Sequence, residues 1–170
     1  MESDDIIPDS LDEAPSAKVT VIYPGEKEVD LGKELTPTDV IEEPKVSWDA
    51  DPKKLYTLSM IDPDAPSREN PIYREINHWL VVNIKGNDLT TGETITPYRG
   101  SRAPKGTGLH RYIFIVFEQS GQIAVNEQDL KTERRNFNLR KFAKKYGLGK
   151  AYAGNYYKAQ WDSSVPELKS

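Results

Sequence analysis

The sequence of 170 residues contains no cysteine and only two histidines. The absence of cysteine excludes a disulfide framework, a zinc–thiolate site and a cysteine nucleophile. It also fits a reducing compartment, and we expect a cytoplasmic location. No apolar run approaches the roughly 20 residues that span a bilayer, and the acidic N-terminus shows no signal pattern. Any membrane contact would therefore be peripheral.

A basic charge excess is also missing, since the formal net charge is −4. Neutralising nucleic-acid phosphates requires a basic surface, so we expect no nucleic-acid partner. The chain instead holds twelve prolines and eleven glycines, which favour many short elements over long helices. Its length suits one hydrophobic core. We predict a single domain over residues 1–170 and expect a monomer.

Short apolar runs bounded by turn residues predict an all-β protein. Alternation places Tyr56, Leu58 and Met60 on one face of a strand, and Asp62 continues that face. The nearly continuous apolar run Ile76–Ile84 predicts a central strand covered on both faces. The predicted strands are Val19–Tyr23, Lys45–Trp48, Leu55–Ile61, Ile76–Ile84, Arg111–Phe117 and Asn155–Trp161. Strict alternation groups His78 with Leu80, Val82 and Ile84, and His110 with Tyr112, Phe114 and Val116.

One segment, Asn138–Tyr146, predicts a helix near the C-terminus. Asn138 is a suitable N-cap, and Leu139, Phe142 and Tyr146 form an apolar stripe typical of core packing. Strands of this number and length predict a sandwich of two antiparallel sheets with a few short peripheral helices, including this one.

Polar residues collect where predicted strands begin or end, the usual place for a binding site on a rigid scaffold. Both histidines, His78 and His110, stand at the start of a core strand, while Asp62 ends another. Together they indicate a shared site. Because Asp62 continues an apolar face, its carboxylate needs a partner, either an imidazole or a ligand ammonium. Asp64 is interpreted instead as a turn residue that binds nearby backbone amides.

Several loop residues allow both a structural and a functional interpretation. Gly100, Gly106 and Gly108 predict tight turns and a close backbone approach to a bound group. Arg99 and Arg102 are candidate donors to an anion, or simply solvated cations. The basic cluster, which we interpret mainly as a solvated surface, comprises Arg134, Arg135, Arg140, Lys141, Lys144 and Lys145.

Catalytic patterns are weak. The sequence contains no GxSxG elbow, phosphate-binding P-loop or dinucleotide fingerprint. Ser101, His110 and Asp62 could form a hydrolytic triad, but nothing in their spacing supports one. Two histidines with one carboxylate also allow a non-haem iron triad, a minor alternative. We expect no enzyme activity, no catalytic residue, no metal and no cofactor.

Two long stretches resemble signatures of the phosphatidylethanolamine-binding protein family, which includes the Raf kinase inhibitor proteins. They are DPDAPSRENPIYREINHWLVVNIKGND, from Asp62 to Asp88, and GSRAPKGTGLHRYIFIVFEQ, from Gly100 to Gln119. The resemblance implies two antiparallel sheets, an anion pocket and cis peptide bonds at Ala65–Pro66 and Arg74–Glu75. The pocket residues that it implies are Asp62, Ala65, Pro66, His78, Gly100, Pro104, His110 and Tyr112.

The sequence departs from the vertebrate pattern of that family at five positions. Ile76 stands where a tryptophan is usual, Asn77 where a second histidine often lies, and Arg102 where vertebrate members have glycine. Lys141 takes the place of a regulatory phosphoserine, and Lys169 takes the place of a tyrosine. The rim of the pocket therefore differs, while its centre matches.

The resemblance implies non-catalytic binding of phosphate-type anions and phospholipid head groups, in a regulatory role. The alternative is a kinase-cascade or serine-protease inhibitor that acts by protein–protein binding. Two roles remain open for Asp62. It could receive the ammonium of a zwitterionic head group, or it could orient a histidine and keep that histidine protonated.

Overall fold

The computed structural model describes residues 1–165, which form nine strands in two sheets. The strands are β1 (Ala17–Lys18), β2 (Thr20–Tyr23), β3 (Lys27–Glu28), β4 (Lys45–Ser47), β5 (Leu55–Asp62), β6 (Ile76–Lys85), β7 (Glu93–Thr96), β8 (His110–Gln119) and β9 (Ala151–Ala159). The large sheet has the order β1-β9-β8-β5-β6-β7, and the small one β3-β2-β4. All neighbouring strands are antiparallel except β1 and β9. The predicted two-sheet fold is confirmed.

The helices are short. Two are α-helical, α1 (Ile6–Asp9) and α2 (Leu139–Lys145), and 3₁₀ turns lie at Glu2–Asp4, Thr38–Val40, Leu89–Thr91 and Gln128–Lys131. The predicted C-terminal helix is confirmed, and Asn138 caps it by accepting the Lys141 backbone N–H at 3.0 Å. Within residues 1–165, no helix has the length and apolar character needed to cross a bilayer.

Two hydrophobic cores cover the two faces of the large sheet. The first lies between the sheets and joins Val21 and Val46 of the small sheet to Leu58, Met60 and residues of the other central strands. The alternation predicted for β5 and β8 is confirmed there, since Tyr56, Leu58 and Met60 share this core with Tyr112, Phe114 and Val116. The second core lies on the opposite face, where α2 and the N-terminal segment pack.

Strand β6 departs from the predicted alternation. Its register against β5 shifts twice, between Tyr56 and Leu58 and between Met60 and Ile61. At the second shift Met60 pairs with Trp79 and Ile61 with Asn77, so His78 is an extra residue in a β-bulge. The predicted common face is therefore wrong. Leu80 and Val82 lie in the second core, Ile84 lies in the first, and the His78 ring meets Tyr112 of the first.

Strand boundaries differ from the predictions mainly at the ends of the chain. β9 begins at Ala151 and ends at Ala159, whereas the apolar pattern predicted Asn155–Trp161. The short strands β1, β3 and β7 were not predicted. Lys169, one of the departures from the family pattern, lies outside the described residues.

Candidate functional site

A cavity of about 400 Å³ opens at one end of the large sheet. Strand β5 runs antiparallel to both β6 and β8. Its last residue, Asp62, therefore lies beside the starts of the other two strands, which carry His78 and His110. The topology thus brings together the three polar residues that the sequence indicated as one site.

Seven of the eight predicted site residues line this cavity. They are Asp62, Ala65, Pro66, His78, Pro104, His110 and Tyr112. Gly100 does not line it. A β-carbon on Gly100 would lie 2.3 Å from the Val40 carbonyl oxygen, so this glycine allows a close approach to the protein's own backbone. Gly106 and Gly108 have φ angles of 82° and 74°, as their predicted tight turns require.

Asp62 is paired within the protein through both carboxylate oxygens. Oδ2 lies 2.8 Å from His110 Nδ1, and Oδ1 accepts the backbone N–H of Asp64 at 2.7 Å. The side chains of Asp62 and His110 are almost fully buried. Of the two roles left open for Asp62, this geometry supports the one in which it orients a histidine.

The hydrogen bonds of His110 favour its charged form. The Thr107 hydroxyl lies 2.7 Å from the Pro104 carbonyl, which can only accept, and 2.9 Å from His110 Nε2. A hydroxyl has one proton. When Thr107 gives it to Pro104, Nε2 donates to Thr107 while Nδ1 donates to the Asp62 carboxylate. Burial by itself would lower the pKa of His110, but the hydrogen bond and charge of Asp62 outweigh it and raise the pKa above its usual value.

His78 is in the opposite state. Its Nδ1 donates to the Arg99 carbonyl at 2.7 Å, which leaves Nε2 as an acceptor. Burial lowers the pKa of His78 to about 4, although the charge of Asp62 opposes that shift. The pKa values of the two imidazoles are therefore shifted in opposite directions, that of His110 toward the charged form and that of His78 toward the neutral form. Between them lies Tyr112, whose ring stacks on His110 with 6.2 Å between centroids and meets His78 edge-on at 5.2 Å.

We expect the two imidazoles to be distinguishable by ¹⁵N NMR at pH 7. His110 should carry protons on both ring nitrogens, while His78 should be the neutral Nδ1–H tautomer, because only His110 faces a carboxylate at hydrogen-bond distance. Asp62→Asn keeps an acceptor but removes the charge, so it should lower the pKa of His110. A neutral His110 in the wild-type protein at pH 7 would contradict this assignment.

The interpretation of Asp64 is wrong. Instead of a turn residue, Asp64 is a fully buried partner of Arg111, which it binds through both oxygens at 2.6 and 2.8 Å. Arg111 also contacts the N-terminal segment, at the Asp4 carbonyl and the Asp9 carboxylate. The local amide bond assigned to Asp64 belongs to Asp62. The pair fixes the start of β8, where His110 lies.

Arginines form much of the rim, and their number was not predicted. The cavity is lined by Arg99, Arg102, Arg134 and Arg135. Arg134, interpreted from sequence as part of a solvated cluster, donates to the carbonyls of Asn77, His78 and Pro97. Burial lowers its pKa to about 10, and the charges of Arg99 and Arg102 add to that effect. Nothing in the sequence pattern separates Arg134 from its solvated neighbours, because its partners lie 37 residues or more away.

The residues that depart from the family pattern do not all line the cavity. Ile76 and Arg102 line the cavity. Asn77 is buried and donates to the Thr96 hydroxyl at 2.9 Å. The resemblance-based expectation of two cis bonds is confirmed at Ala65–Pro66 and Arg74–Glu75.

The catalytic and metal alternatives find no supporting geometry. Ser101 is buried, and its hydroxyl lies 2.6 Å from the Tyr157 hydroxyl, while both nitrogens of His110 are bound to other residues. In the part of the chain that the structure describes, no three histidines or carboxylates are grouped so as to hold a metal ion.

The two-sheet fold places the chain in a class of β-sandwich proteins. The comparisons name the family: a model described as phosphatidylethanolamine-binding protein matches residues 25–158. The chain belongs to this family, as its resemblance indicated.

Individual relatives span nearly the whole chain. A Drosophila melanogaster protein named as an odorant-binding protein, A5, is 40% identical over 172 residues, 99% of this chain and 82% of that one. The solution structure of a protein named CG7054 is 48% identical, with a TM-score of 0.75 over 97% of this chain and 96% of that chain. A carboxypeptidase Y inhibitor, solved with its cognate proteinase, is 22% identical, with a TM-score of 0.82 over 95% and 93%. At that identity the likeness shows the fold.

Proposed function

We propose that the protein binds a small phosphate-type anion, such as a phospholipid head group, in this cavity, and that it acts by binding and not by catalysis. The observation that carries the proposal is the charge of the cavity. Four arginines and the imidazolium of His110 face two carboxylates, Asp62 and Glu133. Each carboxylate already has a cationic partner, His110 for one and Arg135 for the other. An anion is the complementary ligand, although the chain as a whole has a net charge of −4.

Three further features support the proposal. The volume of the cavity falls within the range usual for small-molecule sites. Burial raises the pKa of Tyr112 well above its usual value, so its hydroxyl stays protonated. The family to which the chain belongs is named for a phospholipid. A cytoplasmic location, a monomeric state and a regulatory role complete the proposal.

Sulfate is the suitable probe, because it is a tetrahedral dianion that does not titrate near neutral pH. We expect it to bind with a dissociation constant on the order of 1 mM and to shift the NMR signals of His78, His110 and Tyr112 together. The absence of these shifts at tens of millimolar sulfate would contradict the proposal.

Sulfate affinity should fall as pH rises through the raised pKa of His110. Below that pKa the imidazolium attracts the anion, and above it one positive charge is lost. His78 should contribute nothing to this change, since its pKa is about 4. A loss of about fivefold corresponds to about 1 kcal/mol, the Coulomb energy of one charge a few ångströms away in water. Titrations at pH 6 and pH 9 measure the change, and an affinity that is equal or higher at pH 9 would contradict it.

Two other candidates remain proposals. The name of the Drosophila relative suggests a small apolar ligand, but four arginines make the cavity costly to fill with apolar atoms. A neutral long-chain alcohol that shifts the cavity signals more strongly than sulfate would favour it. The second candidate is inhibition of a kinase or serine protease by protein binding. Arg140 and Lys145 of the basic cluster pair with Asp12 and Glu127, which weakens that cluster as a partner surface.

A further inference from the structure

The carboxylates that line the cavity are both engaged by the protein itself. Asp62 accepts from His110 and from the Asp64 amide. Glu133 accepts from the backbone N–H and Nε of Arg135, and its side chain is half exposed. A ligand ammonium, which needs a carboxylate partner when desolvated, would therefore share Asp62 with His110 or Glu133 with Arg135.

Two arginines of the cavity, Arg102 and Arg134, have no carboxylate bond among the described residues. Nη1 of Arg102 is buried and, among the described residues, makes no hydrogen bond. Arg134 binds carbonyl oxygens, which accept its protons without neutralising its charge. Arg102 and Arg99 both add to the unfavourable electrostatics of Arg134. A ligand with two negative charges would supply the acceptor that Arg102 lacks and a counter-charge for Arg134.

Phosphate esters differ in whether they can meet this requirement. A monoester has three terminal oxygens and a second ionisation near pH 6, so it is largely dianionic at neutral pH. Its oxygens match the planar fork of a guanidinium. A diester head group such as phosphoethanolamine in a glycerolipid has one negative charge, two free oxygens and an ammonium that the arginines repel.

We infer, on the basis of the proposed function, that the ligand is a phosphate monoester dianion, and that Arg102 selects it over zwitterionic phosphodiesters. The chemistry is shared by a lipid such as phosphatidic acid and by a free phosphorylated metabolite.

The direct test compares two soluble head groups, glycerol 3-phosphate and glycerophosphoethanolamine, by calorimetric titration at pH 7.5. We expect the monoester to bind at least about tenfold more tightly, a difference of about 1.4 kcal/mol. The advantage should shrink as pH falls below about 6, where the monoester takes up a proton.

Variants of Arg102 test whether this residue causes the preference for the monoester. Arg102→Gln should reduce monoester affinity by about tenfold and diester affinity much less, and Arg102→Lys, which keeps the charge without the fork, should fall between. Lys105→Gln is the matched control. It removes one positive charge from the same loop, but Lys105 lies over the Trp161 ring and not in the cavity lining. Unchanged NMR signals of Tyr157 and Trp79 in the absence of ligand show that each variant is folded.

A vesicle experiment separates the two sources of the monoester. Phosphatidylcholine vesicles containing phosphatidic acid should co-sediment the protein, and glycerol 3-phosphate should compete, if the ligand is lipid-borne. Tight binding of glycerol 3-phosphate without co-sedimentation supports the inference with a soluble ligand.

Equal affinity for the two head groups, or a preference for glycerophosphoethanolamine, overturns the inference and leaves the proposed anion site intact. The same holds if Arg102→Gln and Lys105→Gln have equal effects. Failure of sulfate and of both head groups to bind overturns the proposed function and the inference with it.

Discussion

Asp64→Ala should lower the free energy of unfolding by about 3–5 kcal/mol, the usual cost of leaving one member of a buried ion pair alone. Asp64 and Arg111 have side chains no more than 1% exposed, and they share three hydrogen bonds between side chains or to the Arg111 backbone. Removing Asp64 leaves a buried guanidinium that contacts, within residues 1–165, only the Asp9 carboxylate and the Asp4 carbonyl. Urea denaturation at pH 7 measures the change.

A double-mutant cycle tests whether the loss comes from the pair itself. Arg111→Met should also destabilise strongly, but Asp64→Ala with Arg111→Met should cost clearly less than the sum of the two single changes. Asp30→Ala, which breaks the exposed pair with Lys18, is the control and should change stability little. Equal effects of Asp64→Ala and Asp30→Ala would show that the buried pair is not a main support of the site.

Glu75→Gln should change how stability depends on pH. Burial raises the pKa of Glu75 to about 7, although the Leu139 backbone N–H donates to its Oε1 at 2.9 Å. A carboxyl whose pKa is raised in the folded state contributes stability that is present below its unfolded pKa, about 4.5, and is lost as pH rises through about 7. The shift corresponds to on the order of 3 kcal/mol. Glutamine can keep the acceptor and does not titrate.

The stability of Glu75→Gln relative to wild type should therefore increase by on the order of 3 kcal/mol between pH 4.5 and pH 8. His78 acts in the opposite direction in the wild-type protein. Its pKa is lowered to about 4, so its contribution is present above the unfolded value near 6.5 and is lost as pH falls through 4. The two groups offset each other between pH 4 and 7, and Glu75→Gln should expose the His78 dependence.

Chemical denaturation of both proteins at pH 4.5, 6 and 8 measures this effect, and His78→Gln provides the complementary control by removing the opposing slope. A difference between Glu75→Gln and wild type that stays constant across this range would mean that Glu75 is ionised in the folded protein.

The fold could be predicted for strands whose side chains alternate regularly between the two faces of the sheet. β5 and β8 alternate regularly along the first core, so the residues facing that core could be predicted from spacing alone. β6 could not be predicted in the same way, because its two bulges change which residue faces which core and leave no mark on its apolar run. Asn83 lies at one of these bulges with a φ of 58°, so the change in which face the side chains take is confined to a few residues.

The site was predictable as a meeting of strand ends but not as a set of charges. Asp62, His78 and His110 could be expected to meet because each begins or ends a central strand. The partner of Asp64, in contrast, lies 47 residues away, and the partners of Arg134 include carbonyl oxygens that every residue carries. A carboxylate in a turn and an arginine in a basic cluster look the same in sequence whether they are solvated or buried.

The bulge at His78 has a consequence for how this chain is compared with others. His78 faces the cavity because β6 is one residue longer than its partner between two paired positions, Ile61 with Asn77 and Met60 with Trp79. Deleting Asn77, which does not line the cavity, would leave every cavity side chain in the sequence and still turn His78 to the other face of the sheet. At this point the number of residues in the strand decides which side chain faces the cavity. A percentage of sequence identity does not record that number.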